Sequence, residues 1–189
     1  SPLLEAFKDK GYEVLLFSDA IDEIWLEQAP SYKDKPLKSI ARGDIELGSE
    51  DERKKATEEL QEKQKELDGL LGTLKDHLKE EVKEVRLSQR LTASAACLVG
   101  DEHDMSPRMQ KILEQLGQKP EKVKRILELN PTHPLLGKLR TVYEEDRQDP
   151  RLARYAELLL GQAHLAESGQ LPDPAAFSKV LAEVMMHGV

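Results

Sequence analysis

The chain has 189 residues, 28 basic and 36 acidic, for a formal charge of −8. That length suits one domain, or one domain with a fragment of another. The acidic balance, with only 3 Phe, 4 Tyr and 1 Trp, excludes a nucleic-acid groove, which needs positive charge and stacking platforms. Cys97 is the one cysteine, so neither an intrachain disulfide nor a thiolate zinc site is available, and a reducing compartment, the cytoplasm, is expected. No apolar run reaches the length of a membrane span. The start, Ser1-Pro2-Leu3-Leu4, has neither an initiator Met nor a signal pattern, as expected of a processed chain or a piece of a longer one.

In chain order, Ser1-Pro2 predicts a helix start, closed by Gly11. Glu13-Val14-Leu15-Leu16-Phe17 predicts a strand buried on both faces. Ser18-Asp19 predicts a capped helix to about Gln28, with Ile21, Ile24 and Trp25 on one side. Pro30 stops it, and Lys38-Ser39-Ile40-Ala41 predicts a second strand. This β–α–β unit is too small to stand alone and reads as the end of a domain. After a linker at 43–50 comes a long helix, Asp51 to about Val82, spanning roughly 45 Å. Leu60, Leu67, Leu71, Leu74 and Leu78 form its stripe, either packed on its own domain or a coiled-coil seam.

Val82–Leu87 alternates as a half-buried strand does. Ala95–Val99 predicts a second strand. Ser106-Pro107 opens a short helix ended by Gly117. Val123–Leu129 reads as strand, and Asn130-Pro131-Thr132-His133-Pro134 as a turn. Three helices follow at about 134–145, 151–167 and 174–187, the last two forming a hairpin.

Phosphate loops, dinucleotide fingerprints and hydrolase motifs are all missing from the sequence, and no catalytic residue is expected. Asp101-Glu102-His103-Asp104 is explained by the dipole of the helix that follows, better than by metal binding. Apolar surface is the informative feature. Met105, Met109, Ile112, Leu113 and Leu116 fall on one helix side, either as a core face or as an adaptable patch for varied apolar partners. In the hairpin, Leu152, Tyr155, Leu158, Leu159, Ala163 and Leu165 oppose Phe177, Val180, Leu181, Val184 and Met185. Two such hairpins would complete a four-helix bundle in an isologous homodimer.

Several segments together resemble the C-terminal third of the ninety-kilodalton heat-shock chaperone family, in its bacterial branch. They are Lys10–Leu16 with Ser18–Glu23, Val85–Thr92 with Ala96–Val99, Glu128–Pro134, and Glu157–Ala163, the last resembling the family's dimerisation helix. The resemblance implies an α+β chain: residues 1–45 as the end of a middle domain, and 46–189 as a C-terminal dimerisation domain with a long helix, a small mixed sheet and the helical hairpin. It implies a homodimeric, ATP-dependent chaperone that binds unfolded or partly folded clients and works with other chaperones, with no nucleic-acid or membrane partner. ATP with magnesium is implied for the full-length protein, through domains outside this chain; no cofactor and no metal are implied within it. The client-contacting helix falls on Met105, Met109, Ile112 and Leu113. A second client contact falls on Glu23, Ile24 and Trp25, where the tryptophan stands one place later than in close relatives. The ending Met186-His187-Gly188-Val189 lacks the acidic tail of eukaryotic cytosolic members. A structural adaptor without a client surface is the competing expectation, and exposure of the Met105–Leu116 face separates the two.

Overall fold

A computed structural model describes residues 1–17, 19–120 and 123–187, with side chains throughout except at 20, 23, 27 and 187. Helices α1 (Glu5–Asp9) and α2 (Ala20–Gln28) precede a two-residue hairpin, β1 (Ser31–Tyr32) and β2 (Lys35–Pro36). Helix α3 (Glu50–His77) leads to strands β3 (Val82–Leu87) and β4 (Ala96–Val99), helix α4 (Pro107–Gln115) and strand β5 (Arg125–Leu129). Helices α5 (Pro134–Glu145), α6 (Pro150–Ser168) and α7 (Pro174–His187) follow.

The architecture is α+β, centred on a three-stranded sheet of order β3-β5-β4. β5 runs parallel to β3 and antiparallel to β4. Alternation along the strands gives the sheet two distinct faces. Val85, Leu87, Ala96, Leu98, Leu127 and Leu129 share a core with Leu70, Leu71 and Leu74 of α3, Leu139 of α5, and Leu152, Ala156 and Leu159 of α6. The opposite face carries Cys97, Val99 and Ile126, packed with Leu91 and covered by Leu3.

α3 begins at a capping box: the Ser49 amide donates to Glu52 Oε2 at 2.7 Å, and the Glu52 amide to Ser49 Oγ. Its leucine stripe packs on its own chain from Leu67 to Leu78, while residues 50–59 stay exposed. The Gln64 side chain accepts the Leu87 amide at 2.9 Å, tying α3 to the end of β3. The helix stops at His77, before Val82, because Val82 is taken into β3.

Two predicted strands are absent. Glu13–Phe17 has no ladder partner among the described residues, and Leu15 and Leu16 are 69% and 80% exposed. Burial on both faces is a property of neighbours, and an apolar run cannot supply them. Lys38–Ser39 is irregular and Ile40–Ala41 a turn, followed by a single bridge at Arg42; the Ile40 carbonyl goes to the Arg90 side chain, and backbone pairing is limited to the bonds with Gly100. The unexpected hairpin β1–β2 turns through Lys33 and Asp34, both at positive φ.

The second face of the sheet also holds a buried ion pair. Arg90 is 1% exposed and Glu128 2%. Arg90 Nε donates to Glu128 Oε2 at 2.8 Å, and its Nη2 to Oε1 at 3.2 Å. Arg86 Nη2 and Ser88 Oγ add 2.9 and 2.7 Å contacts to the same carboxylate. Arg90 also donates to the carbonyls of Ile40 and Gly43. A second clasp lies nearby: Glu5 Oε2 accepts the amides of Thr92 and Ala93 at 2.8 Å, and the Ser94 amide and hydroxyl also donate to its carboxylate. Residues 1–45 are thus fastened to the sheet largely by polar contacts.

Arg90→Met leaves Glu128 short of its main counter-charge in a dry site. The expected loss is about 3 kcal/mol, within the range for breaking a buried pair, read from chemical denaturation. For Glu5, burial alone would raise the carboxyl, yet the Ser94 hydroxyl and the amides of Ala93, Thr92 and Ser94 together hold it below the ordinary Glu value. Its contribution to stability is therefore complete above the ordinary carboxylate range and is lost as pH falls through the depressed value. Glu5→Gln should lower the melting temperature at neutral pH, and its difference from wild type should shrink on acidification.

Candidate functional site

α4 starts at Ser106, whose hydroxyl accepts the Met109 amide at 3.0 Å, with Pro107 at the first helical position. Gly117, at φ +79°, ends it. None of its residues is fully buried. Met105 is 37% exposed and Leu116 is largely open, whereas Met109, Ile112 and Leu113 are half-buried. The cover on this face is α2, which packs directly on α4.

α2 carries Ile21, Ile24 and Trp25, all exposed. Its start is fixed by a reciprocal cap in which the Asp19 amide donates to Asp22 Oδ2 at 2.8 Å. The Trp25 ring leans on Phe17, centroids 6.0 Å apart, and Arg108 of α4 reaches the Phe17 carbonyl at 3.5 Å. Two segments expected separately, at Ile24–Trp25 and at Met105–Leu113, thus lie on helices packed against each other. The Glu23 side chain lies outside the described residues.

The loop leading into α4 has a polar base. Lys83 Nζ, from β3, is bonded to Asp101 and lies 2.8 Å from Asp104 Oδ2, which also accepts the Asp101 amide at 2.8 Å. Burial alone would lower the Lys83 ammonium, but hydrogen bonds to Asp101 and Asp104 raise it. Burial would likewise raise Asp104, and the bonds from Lys83 and the Asp101 amide lower it instead. Asp101 and Asp104 therefore answer a lysine. Among the described residues, no group of three or more His, Cys, Asp or Glu is arranged to hold a metal.

Cys97 faces the buried pair, its Sγ 4.0 Å from Glu128 Oε2. Burial, reinforced by the Glu128 charge, pushes its thiol up to about 12, so it carries no thiolate at neutral pH.

The terminal hairpin divides differently from expectation. Leu152, Leu159 and Ala163 are buried within the subunit, in the core shared with α3 and the sheet, and Leu158 is buried too. α6 spends this face on its own chain. Tyr155 packs on the same core, part-buried. α7 touches α6 through Phe177, whose ring lies so close to Gly161 that a Cβ there would collide with it. On α7, Leu181 and Met185 are exposed and Val180 and Val184 half-buried; Leu165 at the end of α6 is also exposed. The apolar surface left open is therefore that of α7 and the tip of α6.

Arg42, Lys83, Arg90 and Glu128 were not anticipated from sequence. The available signal was a carboxylate at position 128 inside the apolar run Ile126-Leu127-Glu128-Leu129; a charge on a fully buried strand demands a partner.

Comparison with known proteins agrees with the resemblance. The family model described as Hsp90 protein matches residues 1–189. The chaperone protein HtpG of Frankia casuarinae is 49% identical over 183 residues, covering 97% of this chain and 28% of the relative. HtpG of Rhodococcus jostii is 49% identical over 182 residues, covering 96% and 28%, and that of Mycobacterium tuberculosis 50% over 185 residues, covering 97% and 28%. The chain therefore spans a little over a quarter of the length of these relatives. With a match along its whole length and half of its residues shared with bacterial chaperones, the chain belongs to the Hsp90 family.

Proposed function

We propose that this chain is the C-terminal part of an ATP-dependent, cytoplasmic chaperone, in which it makes the homodimer and contributes a surface for unfolded or partly folded clients. ATP with magnesium is bound in the intact protein by other domains, and this part turns over no nucleotide. Residues 1–45 close the middle domain and 46–189 form the dimerisation domain. No helix among the described residues is long and apolar enough to cross a membrane.

One observation carries the client reading: the apolar residues of α2 and α4 form a joined, partly open surface rather than a sealed core. Methionine suits it, because an unbranched, polarizable side chain re-packs against varied partners at low cost. The half-open face of α4 favours a client surface over a plain adaptor. Dimerisation draws its support from α7, which is held to its own subunit on one side and presents Leu181, Met185 and Met186 on the other. A stable dimer buries on the order of 1,600 Å², and this face with its twin and the exposed Leu165 offers a self-complementary start. Joining two arms in this way makes their contact intramolecular, at roughly millimolar effective concentration.

Leu181→Glu combined with Met185→Glu should convert the dimer to a monomer in analytical ultracentrifugation while the subunit melts as before; a wild-type chain that sediments as a monomer refutes the dimer. Met105→Ser with Met109→Ser should weaken suppression of client aggregation several-fold. Because both residues are only partly covered, stability should fall by no more than about 1 kcal/mol; a loss of several kcal/mol marks a core face instead.

A further inference from the structure

The helix assigned to clients does not stand alone on its loop. Residues 40–43 form a strap between the buried ion pair and the loop 100–106 that carries α4. On the inner side, Arg90 donates to the carbonyls of Ile40 and Gly43. On the outer side, the Gly100 amide donates to Ala41 O and the Gly43 amide to Gly100 O, both at 3.0 Å, forming a single parallel bridge. Arg42 Nη1 then reaches across to Asp104 O at 3.0 Å. Asp104 is itself held by Lys83 and by the Asp101 amide, and stands two residues before Ser106, the cap of α4. Gly43 sits at φ +59°, with its Cα facing the Glu102 side chain, so the strap approaches the loop where a side chain would be strained.

Every link in this chain of contacts is a hydrogen bond or an ion pair with a fixed direction. Shifting the strap removes the Gly43 amide from Gly100 O and the Arg42 guanidinium from Asp104 O at once, leaving the base of α4 to Lys83 and the Asp101 amide. Among the described residues, Arg90 makes no hydrogen bond to residues 100–115; the strap carbonyls link it to that loop.

We propose that Arg42 is a positioning residue for α4, and that the strap 40–43 relays the state of the Arg90–Glu128 pair to the client-contacting face. This rests on the assignment of α4 to client contact, and it adds the control of that site. A movement of residues 40–43 then changes the presentation of Met105 and Met109 through the loop that carries them. Arg42 acts through Asp104, not on a client.

Amide hydrogen exchange on the full chain tests the relay. In Arg42→Ala, the amides of Asp104, Met109 and Gln110 should exchange about tenfold faster, as for a local opening, while β5 stays protected. Arg42→Lys, which keeps a donor, should restore most of the protection. Arg90→Lys keeps the charge beside Glu128 but cannot reach both strap carbonyls, and should accelerate the same three amides from the far side of the strap. Unchanged exchange in Arg42→Ala overturns the proposal, as does an Arg90→Lys effect confined to residues 40–45. Should Arg90→Lys lose cooperative melting, Arg42→Ala and its lysine rescue decide alone. Suppression of client aggregation is read in parallel and should fall in Arg42→Ala and return in Arg42→Lys. If exchange accelerates and suppression is untouched, the relay stands and the client role of α4 falls; if suppression falls with exchange unchanged, the relay falls.

Discussion

A carboxylate in the middle of an apolar sheet sets the terms for everything around it. Glu128 lies on the central strand, so it has sheet on both sides and cannot reach water. An ion in that position costs several kcal/mol unless it is paired and its remaining lone pairs are filled. Arg90, Arg86 and Ser88 do this together. Arg90 then has donors left over, and a guanidinium with unfilled donors in a dry site is itself costly. They are filled by the backbone carbonyls of Ile40 and Gly43, 50 and 47 residues earlier in the chain. The need to satisfy one buried charge thus draws the N-terminal stretch onto the sheet.

The consequences run outward from there. The strap that satisfies Arg90 is also the strap that borders the loop of α4, and α2, which follows the N-terminal helix, rests on α4 itself. The apolar surface shared by α2 and α4 is in this sense built on a polar foundation. The other side of the sheet follows a different logic. There α3, α5 and α6 close a leucine-rich core within the subunit, and α7 with the tip of α6 is left with an open apolar flank. One face is finished inside the subunit; the other depends on directed polar contacts; and the edge formed by α7 is where the proposed twin subunit would complete the structure.

Much of the C-terminal two-thirds was legible because punctuation and period agree there. Ser106-Pro107, Asp149-Pro150 and Asp173-Pro174 each mark a helix start within a residue, and Gly117 and Gly169 mark two ends. Alternation found β3, and short apolar runs found β4 and β5. The run Glu13–Phe17 misled because a continuous apolar segment states only that cover is needed, and here none of the described residues pairs with it. A helix with a broad apolar surface, such as α6, does not declare from sequence which side faces home and which faces out; Leu152 and Leu159 face home. The adjacency of α2 and α4, about eighty positions apart, is tertiary and left no local trace. Nor did the Arg90–Glu128 pair, since period-based reading counts apolar residues and passes over the charge between them.

A fastening made of charge behaves differently on heating from one made of grease. The penalty for stripping water from a guanidinium and a carboxylate falls as temperature rises, whereas apolar stabilisation per unit area levels off. The Arg90–Glu128 joint therefore strengthens relative to the leucine core on warming. In a chain of a heat-shock family, the hold of residues 40–43 on the sheet thus fades less on warming than apolar contact alone would allow.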